Sequence, residues 1–551
     1  MRQTTLCVPL EVKPESCSRL TALVDELKRQ EDTGPGGYPE NFARVTRDVP
    51  TLHFMSMSVF TASDYDPMFI LEANFDGAAG VFWGQMESAF SGPLRDILRC
   101  CKKPLDQDGV LYEAVTAPES RAPAGPYFEA RTQRPSVYHH GNRGLTRDGI
   151  LNEARLFDAV RGALDDPRQP GPSPYRGTSA ATVHARLREA MLPNYPWLGE
   201  PAPERLPRAE RIGDLSRLLT FAVVVLFMLS LPGIIAAALL STKTYVVVAL
   251  VAAAVIGLLI YLKRKPLPGT EIPTSFDPVA LLLGSAWLIA IGVVIYVVVS
   301  TLLLIPTVIG VSHFLAWLGE GVALSFGSAF PLVARALLLG LLSLVVVLPL
   351  MILWLRHLEL RDSSHDAPHV DERLLREMIR REDWVAQNHM GSIVLIKPGV
   401  LRMIVIRAGH LGLGLYLRLK ATDGYLGSMR TVHFAHWAFL NNGSRLLFSS
   451  NFDHSWDSYL DDFIEKAHPG LTLAWGCGVG FPPTRFLVLD GASHGRRFKA
   501  WALASRAVSR FWYSAYPTLT VDQIERNHRI ATGLRQNDMS ETEASAWIRD
   551  L

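Results

Sequence analysis

A charge excess of either sign is missing from this sequence. Its 551 residues carry 55 Lys and Arg against 53 Asp and Glu, a formal net charge of +2, so no basic footprint points to nucleic acid. Cysteine is scarce as well. Cys7, Cys17, Cys100, Cys101 and Cys477 form neither a zinc-type spacing nor an even framework, and reduced thiols are expected. The first residues, Met1-Arg2-Gln3-Thr4-Thr5, lack the apolar core of a signal peptide, which leads to the expectation of a cytosolic start. Gly476-Cys477-Gly478-Val479-Gly480 lacks the Lys-Ser or Lys-Thr that completes a phosphate loop. Phe481-Pro482-Pro483 then stops any helix that would offer its N–H groups to phosphate, so nucleotide binding is rejected there. Cys477 has no histidine at a spacing that marks a nucleophile and reads as a small buried residue.

Charge is absent altogether from four apolar runs, Leu218 to Leu240, Thr244 to Leu262, Pro278 to Gly319 and Ala336 to Leu355. A bilayer-spanning helix needs roughly 20 apolar residues. Four spans are expected, at about 218–240, 244–262, 279–305 and 336–355, with a re-entrant or interfacial stretch between Pro306 and Trp317. Arg211 and Arg217 precede the first run, Lys263-Arg264-Lys265 follow the second, and Arg356 and Arg361 follow the fourth. Because flanking Lys and Arg are retained on the cytoplasmic side, the expectation is a multi-pass protein of the inner (plasma) membrane with both termini cytoplasmic. His313 and Glu320 mark either a polar pathway or a solvated outer rim.

On either side of these runs the sequence repeats itself. His53-Phe54, Asn74-Phe75-Asp76 and Leu145-Thr146-x-Asp148-x-Ile150 return as His433-Phe434, Asn451-Phe452-Asp453 and Leu519-Thr520-x-Asp522-x-Ile524. The offset drifts from 380 residues (His53 to His433) through 377 (Asp76 to Asp453) to 374 (Thr146 to Thr520). Order and spacing together indicate two copies of one soluble fold around a membrane insert. Each copy reads as a hairpin followed by a helix, an irregular middle, and a last strand and helix. The expected class is α+β, with two ferredoxin-like repeats. The expected layout is a first repeat over 1–165, a linker over 166–210, a transmembrane region over 211–360, a connector over 361–430 and a second repeat over 431–551. Within the connector, Gly391 to Lys420 mixes Arg402, Arg407, His410, Arg418 and Lys420 with Leu, Ile and Val. It reads either as a helix at the headgroup boundary or as a core helix of the second copy.

This duplicated pattern resembles the dimeric α+β barrel superfamily, in which two ferredoxin-like units close their sheets face to face around a cavity. Dye-decolourising peroxidases, chlorite dismutase-like haem proteins and small monooxygenases belong to it. More closely, Thr431-Val432-His433-Phe434-Ala435-x-Trp437 with Leu446-Leu447-Phe448-x-Ser450-Asn451-Phe452-Asp453-x-Ser455-Trp456 resembles a group of uncharacterised bacterial membrane proteins. The superfamily resemblance covers roughly half of the chain and implies a fused pseudo-dimeric barrel; haem is the cofactor it suggests. Asn74-Phe75-Asp76-Gly77 partly matches the peroxidase motif Gly-x-x-Asp-Gly, whose aspartate sits over haem in that family. Ala73 replaces the first glycine, and the second copy reads Ser450-Asn451-Phe452-Asp453-His454.

The candidate catalytic residues are His53, Asp76, His433, His436 and Asp453. A histidine facing a barrel cavity binds haem iron or acts as a base; alternatively each histidine bonds a neighbouring carboxylate or backbone group in both copies. His436 and His454 stand where the first copy has Ser56 and Gly77, the asymmetry expected of a one-sided site or of drift. Asp76 and Asp453 are proton shuttles or helix N-caps. Thr146 and Thr520 read as helix starts, the second in a Thr-x-x-Gln capping box, and Arg155 and Arg529 as partners for a carboxylate of the other copy. His139-His140 cannot both ligate one metal from a strand, since neighbours point to opposite faces. Two functions fit. One is a membrane-anchored oxidoreductase with a cytoplasmic α+β barrel acting on a lipophilic substrate. The other is a non-catalytic membrane protein that binds lipid, haem or a partner subunit, or another copy of itself. A transporter is disfavoured, because four spans with almost no buried charge offer no path.

Overall fold

A computed structural model of the chain describes all residues except 1–2, 33–41, 63–64, 166–172, 266–279, 281–282, 363–371, 383–385, 421–422 and 427–428. Part of the proline-rich linker, Pro266, the first residues of the third expected span and part of the 361–430 connector lie outside the described residues. The first half runs β1 (Gln3–Glu11), α1 (Cys17–Asp32), β2 (Leu52–Ala62), β3 (Tyr65–Asp76), α2 (Ala79–Cys100), β4 (Val137–His140) and α3 (Arg147–Leu164). Four long helices follow among the described residues: α4 (Arg208–Leu239), α5 (Thr242–Leu262), α6 (Ala286–Trp317) and α7 (Phe326–Leu360). The second half runs in a similar order, β5 (Gln387–Leu395), α8 (Val400–Lys420), β6 (Val432–Leu440), β7 (Arg445–Asp453), α9 (Trp456–Trp475), a short β8 (Arg506–Ala507), β9 (Ser509–Ser514) and α10 (Val521–Arg535).

The repeat is deeper than its sequence signatures. Both α2 and α9 break their helical geometry at equivalent residues, Phe90 (φ −134°, ψ 21°) and Ala467 (φ −139°, ψ 16°), just before Pro93 and Pro469. A proline ring clashes with the preceding turn and removes one N–H, which accounts for both kinks. The second sheet also draws its first strand and first helix, β5 and α8, from residues that the sequence reading assigned to a connector. Their counterparts β1 and α1 share almost no residue identity with them, so the repeat is invisible there.

The two large antiparallel sheets run in the orders β1-β3-β2-β9 and β8-β5-β7-β6-β4. The last strand of each half is exchanged. β4 from the first half pairs with β6, His139 opposite Ala435, and β9 from the second half pairs with β2, Trp512 opposite Ser56. Residues 1–165 and 431–551 are therefore not separate units, since each edge strand completes the other's sheet. The helices α1 and α2 cover the outside of the first sheet, where Leu20, Val24, Phe82, Met86 and Phe90 pack on Met55, Leu71 and Phe75. An equivalent outer core covers the second sheet, with Phe452, Tyr459 and Phe463 among its members. The inner faces meet. At one end Cys7, Phe60, Met68 and Ile70 pack on Ile393, Ala438 and Leu447; at the other Phe54, Phe434, Tyr516, Ile150 and Ile524 do so.

Among the described residues five helices are long and apolar enough to cross a membrane: Arg208–Leu239, Thr242–Leu262, Ile289–Trp317, Phe326–Leu360 and Val400–Lys420. They mark the chain as a membrane protein. Two boundaries differ from expectation. α6 continues through Pro306 to Trp317 as one helix, because an apolar helix tolerates the loss of one N–H bond where its neighbours compensate. α7 starts ten residues before the expected span and takes in Arg335, whose guanidinium donates to the Leu240 carbonyl at 2.8 Å. Small and hydroxylated residues set the contacts between these helices. Ser230 and Tyr296 hydroxyls lie 2.6 Å apart, and Tyr245 donates to the Leu339 carbonyl at 2.9 Å.

Ionic groups fasten this bundle to the sheets. Ahead of the apolar run of α4, Arg143 from the loop after β4 holds Glu210 (2.5 Å) and Asp214 (2.7 Å), and Arg418 of α8 lies 3.7 Å from Asp214. At the end of α7, the fully buried Arg356 pairs with Glu359 (3.1 Å) and donates to the carbonyls of Lys263, Lys265 and Thr484. Glu359 in turn accepts from the N–H groups of Phe486 and Leu487, two residues with positive φ. Lys397, just before α8, pairs with Asp362 at 2.6 Å. α8 is thus tied at one end to the start of α4 and at the other to the end of α7.

Candidate functional site between the sheets

His53 and His433 occupy equivalent β-bulges. Register shifts between Leu52 and Phe54 against β3, and between Val432 and Phe434 against β7, and a bulge re-aims the extra side chain. Each histidine then faces the aspartate of its own half. His53 Nε2 lies 3.1 Å from Asp76 Oδ1 without hydrogen-bond alignment, and His433 Nε2 donates to Asp453 Oδ1 at 2.8 Å. The other carboxylate oxygen accepts from the first N–H of a helix, Arg147 N to Asp76 (2.7 Å) and Val521 N to Asp453 (2.9 Å). A carboxylate is favoured there because a helix N-terminus carries partial positive charge and unsatisfied N–H groups. Each aspartate therefore serves the N-terminus of the last helix of its half, α3 or α10. The helix that follows the aspartate in sequence begins instead after Ala78 or Ser455. The halves also interlock reciprocally: His53 packs on Phe434 (5.4 Å) and His433 on Phe54 (5.3 Å), as in a two-fold interface.

Between these pairs lies a cluster without such symmetry. Glu72 of β3, 1% exposed, points at the second sheet. Its Oε2 accepts from His389 Nε2 at 2.7 Å and from Ser56 Oγ at 3.2 Å. Its Oε1 accepts from the amides of Asn74 (3.0 Å) and Asn451 (3.4 Å), with His436 Nδ1 at 3.6 Å. Strand register equates Glu72 with Ser449, His436 with Ser56 and His389 with Thr5, so one half supplies the acid and the other both imidazoles. Burial pushes the Glu72 carboxyl up. The hydrogen bond from His389 and the electrostatic attraction of the neighbouring His389 and His436 imidazoles outweigh that and hold it well below the usual carboxylate range. His389 Nδ1 also meets Ser509 Oγ at 2.5 Å, and Asn451 accepts from Trp512 Nε1 at 2.8 Å. His436 is fully buried, and neither of its ring nitrogens makes a hydrogen bond among the described residues.

The remaining nominees are dispersed. His454 is exposed and adopts φ 67°, the left-handed position that Gly77 takes at φ 96° in the first half, so their equivalence marks a turn. Arg529 pairs with Asp550 at 2.6 Å within its own half, and Arg155 bonds Asn152. The contact between the halves expected of these arginines is made instead by His528 and Glu153 at 2.9 Å. Thr146 and Thr520 cap α3 and α10, the latter in a full capping box. His140 reaches Thr5 across the sheets at 2.9 Å, and burial holds the His139 imidazole down at about 4. Burial also pushes the Cys477 thiol up to about 11, which suits an inert side chain. Sequence reasoning missed Glu72, His389 and the pair Gln3 and Gln387. Gln3 holds the loop before α3 through the Leu145 carbonyl (2.8 Å) and Gly144 N–H (3.1 Å). Gln387 does the same before α10 through the carbonyls of Tyr516 (3.0 Å) and Leu519. A shared glutamine is the one signal that aligns β1 with β5.

These residues do not fit a haem. The Nε2 atoms of His53 and His433 are turned to carboxylates, His53 Nδ1 meets the Tyr516 hydroxyl at 2.8 Å, and both rings lie under packed aromatic side chains. Among the described residues no three His, Cys, Asp or Glu side chains converge as metal ligands. Compared with family models, curated proteins and solved structures, the chain matches none.

Proposed function

We propose that this chain is a non-catalytic, multi-pass protein of the plasma membrane whose fused ferredoxin-like halves form a cytoplasmic platform for a lipid or a partner subunit. The observation that carries the reading is that the nominated His–Asp pairs occur twice, fully enclosed by the fold, with each aspartate holding the first N–H of the last helix of its half. A catalytic histidine needs a nitrogen within reach of substrate; these imidazoles are fully buried under packed aromatic side chains, and their aspartates hold helix N-termini. The ionic fastening supports the platform. The carbonyls of Lys263 and Lys265, the end of α7 and the loop at Thr484 all meet at Arg356, as expected if the loop after the second span shares a compartment with the soluble halves. Four of the five apolar helices then cross. α8 instead lies along the headgroup boundary, its ends held at the bases of α4 and α7 and its His410 donating to the Ala474 carbonyl at 3.1 Å.

The direct test is the absorption spectrum of the purified protein before and after addition of haem. Absence of a Soret band in both cases is expected; a stoichiometric band lost in His433→Ala would overturn the reading. One observation favours the rival oxidoreductase reading, the one-sided Glu72, His389 and His436 cluster, which has the acid and bases for proton transfer. On that reading a lipophilic substrate must reach Glu72, and Glu72→Gln abolishes turnover while the fold persists.

A further inference from the structure

A cleft of about 240 Å³ opens where α4, α8 and the loop after β4 converge, lined by Arg143, Arg205, Arg211, Asp214, Arg418 and Asp423. The geometry points to this cleft as a binding site for the phosphodiester of an anionic phospholipid. The inference rests on the reading that α4 crosses the bilayer.

Most of the lining charge is committed elsewhere. Asp214 is shared by Arg143 (2.7 Å), Arg217 (3.3 Å) and Arg418 (3.7 Å), and Arg205 is taken by Glu525 (2.6 Å) and Asp423 (3.2 Å). Arg211 is left over. Its guanidinium makes no hydrogen bond or ion pair among the described residues, and it is exposed at the cleft. Committed arginines give the cleft a fixed shape, and the uncommitted one gives it an anion preference, since a guanidinium matches two phosphate oxygens at once.

Depth selects a lipid over a free phosphate. The cleft sits about one to two turns before Leu218, where the uncharged run of α4 begins. Gly412 of α8 lies against the Phe221 ring of that run, so close that an added Cβ would stand 2.9 Å from it. One turn beyond Arg211, on the same face of α4, Leu215 is 48% exposed, and its neighbour Ile212 is 68% exposed. Polar groups below and exposed apolar side chains above follow the order of headgroup and acyl chain, and basic pockets on this side of a bundle are suited to anionic headgroups.

The test uses the full chain in nanodiscs of phosphatidylcholine, alone or with part replaced by phosphatidylglycerol. Phosphatidylglycerol is expected to raise the thermal midpoint by a few degrees and to co-purify through detergent exchange. Arg211→Glu should remove the rise and the retained lipid, Arg211→Lys should keep much of both, and Arg208→Glu, outside the cleft, should leave both intact. Because Arg211 has no partner among the described residues, its replacement leaves the midpoint in pure phosphatidylcholine unchanged. An undiminished rise in Arg211→Glu would overturn the site. So would an Arg211-dependent rise produced by inorganic phosphate in pure phosphatidylcholine, which would give the cleft to a soluble anion. A reporter at the N-terminus separates the two claims: an external terminus would sink the topology, whereas a cytoplasmic one with no lipid effect would sink this site alone.

Discussion

At the scale of single residues, the duplicated aspartates are bridges between an imidazole and a helix N-terminus. Asp76→Ala and Asp453→Ala each leave a buried helix N–H without an acceptor, and Asp453→Ala also strands His433 Nε2, at a cost of about 1–3 kcal/mol each. Asn keeps one carbonyl oxygen for the helix N–H and should recover much of the loss. Thermal midpoints of the purified variants check this, and matching ladders at both positions are expected; a loss confined to one half would indicate a site there. His139 makes a pH-dependent contribution. Its folded value of about 4 lies below the ordinary 6.5, so the unfolded chain binds the extra proton between those limits. Stability therefore falls as pH drops from about 7 towards 4, by about 2 kcal/mol at pH 5 for this one group. His139→Gln should flatten that limb of the midpoint-against-pH curve, and an unchanged slope would show that His139 is not buried neutral. His53, Asp76, His433 and Asp453 were legible as a repeat in the sequence because both halves bury the same His–Asp contact and the same aspartate-to-helix bond and so keep the same residues. Glu72 and His389 were not, since their bonds run between halves and have no counterpart to align.

At the scale of elements, helix contacts in the bundle depend on missing side chains. A Cβ at Gly340 would meet Ile234 Cγ1 at 2.7 Å and the Ser230 carbonyl at 3.3 Å, whereas one at Gly257 meets nothing within 4 Å. Gly340→Leu should therefore push α7 off α4, costing upwards of about 1–3 kcal/mol, while Gly257→Ala should be neutral or slightly stabilising. Heat-induced aggregation in detergent is the readout, and equal behaviour of the two would refute the packing. The hairpins, the helix starts and the apolar runs were readable from local chemistry. The span ends were less so, because Pro306 and Arg335 are ordinary breakers whose effect neighbouring helices cancel. α8 could be read either as core or as interfacial, and it has one buried and one exposed face: His410 and Ile406 are buried, whereas Val400, Ile404, Leu411 and Tyr416 are exposed.

At the scale of the whole molecule, the sheets belong to neither half alone. Exchange of β4 and β9 was beyond sequence reasoning, because four residues, Val137–His140, carry no pairing preference of their own and the partner is chosen by tertiary context. The fastening ion pairs are likewise non-local. Lys397 is nearly buried against Asp362, and burial lowers the pKa of its ammonium. Asp362→Ala would strand that charge, whereas Asp362→Ala with Lys397→Met would remove both partners and should be much milder. Equal midpoints for the single and double variants would contradict the pairing. The most direct measurement of the central claim, one unit built from two exchanged halves, is size-exclusion chromatography of the detergent-solubilised protein after cleavage at a protease site inserted within 363–371. The account expects the two fragments to co-elute and to separate only on unfolding. Two folded fragments that elute apart without unfolding would contradict it.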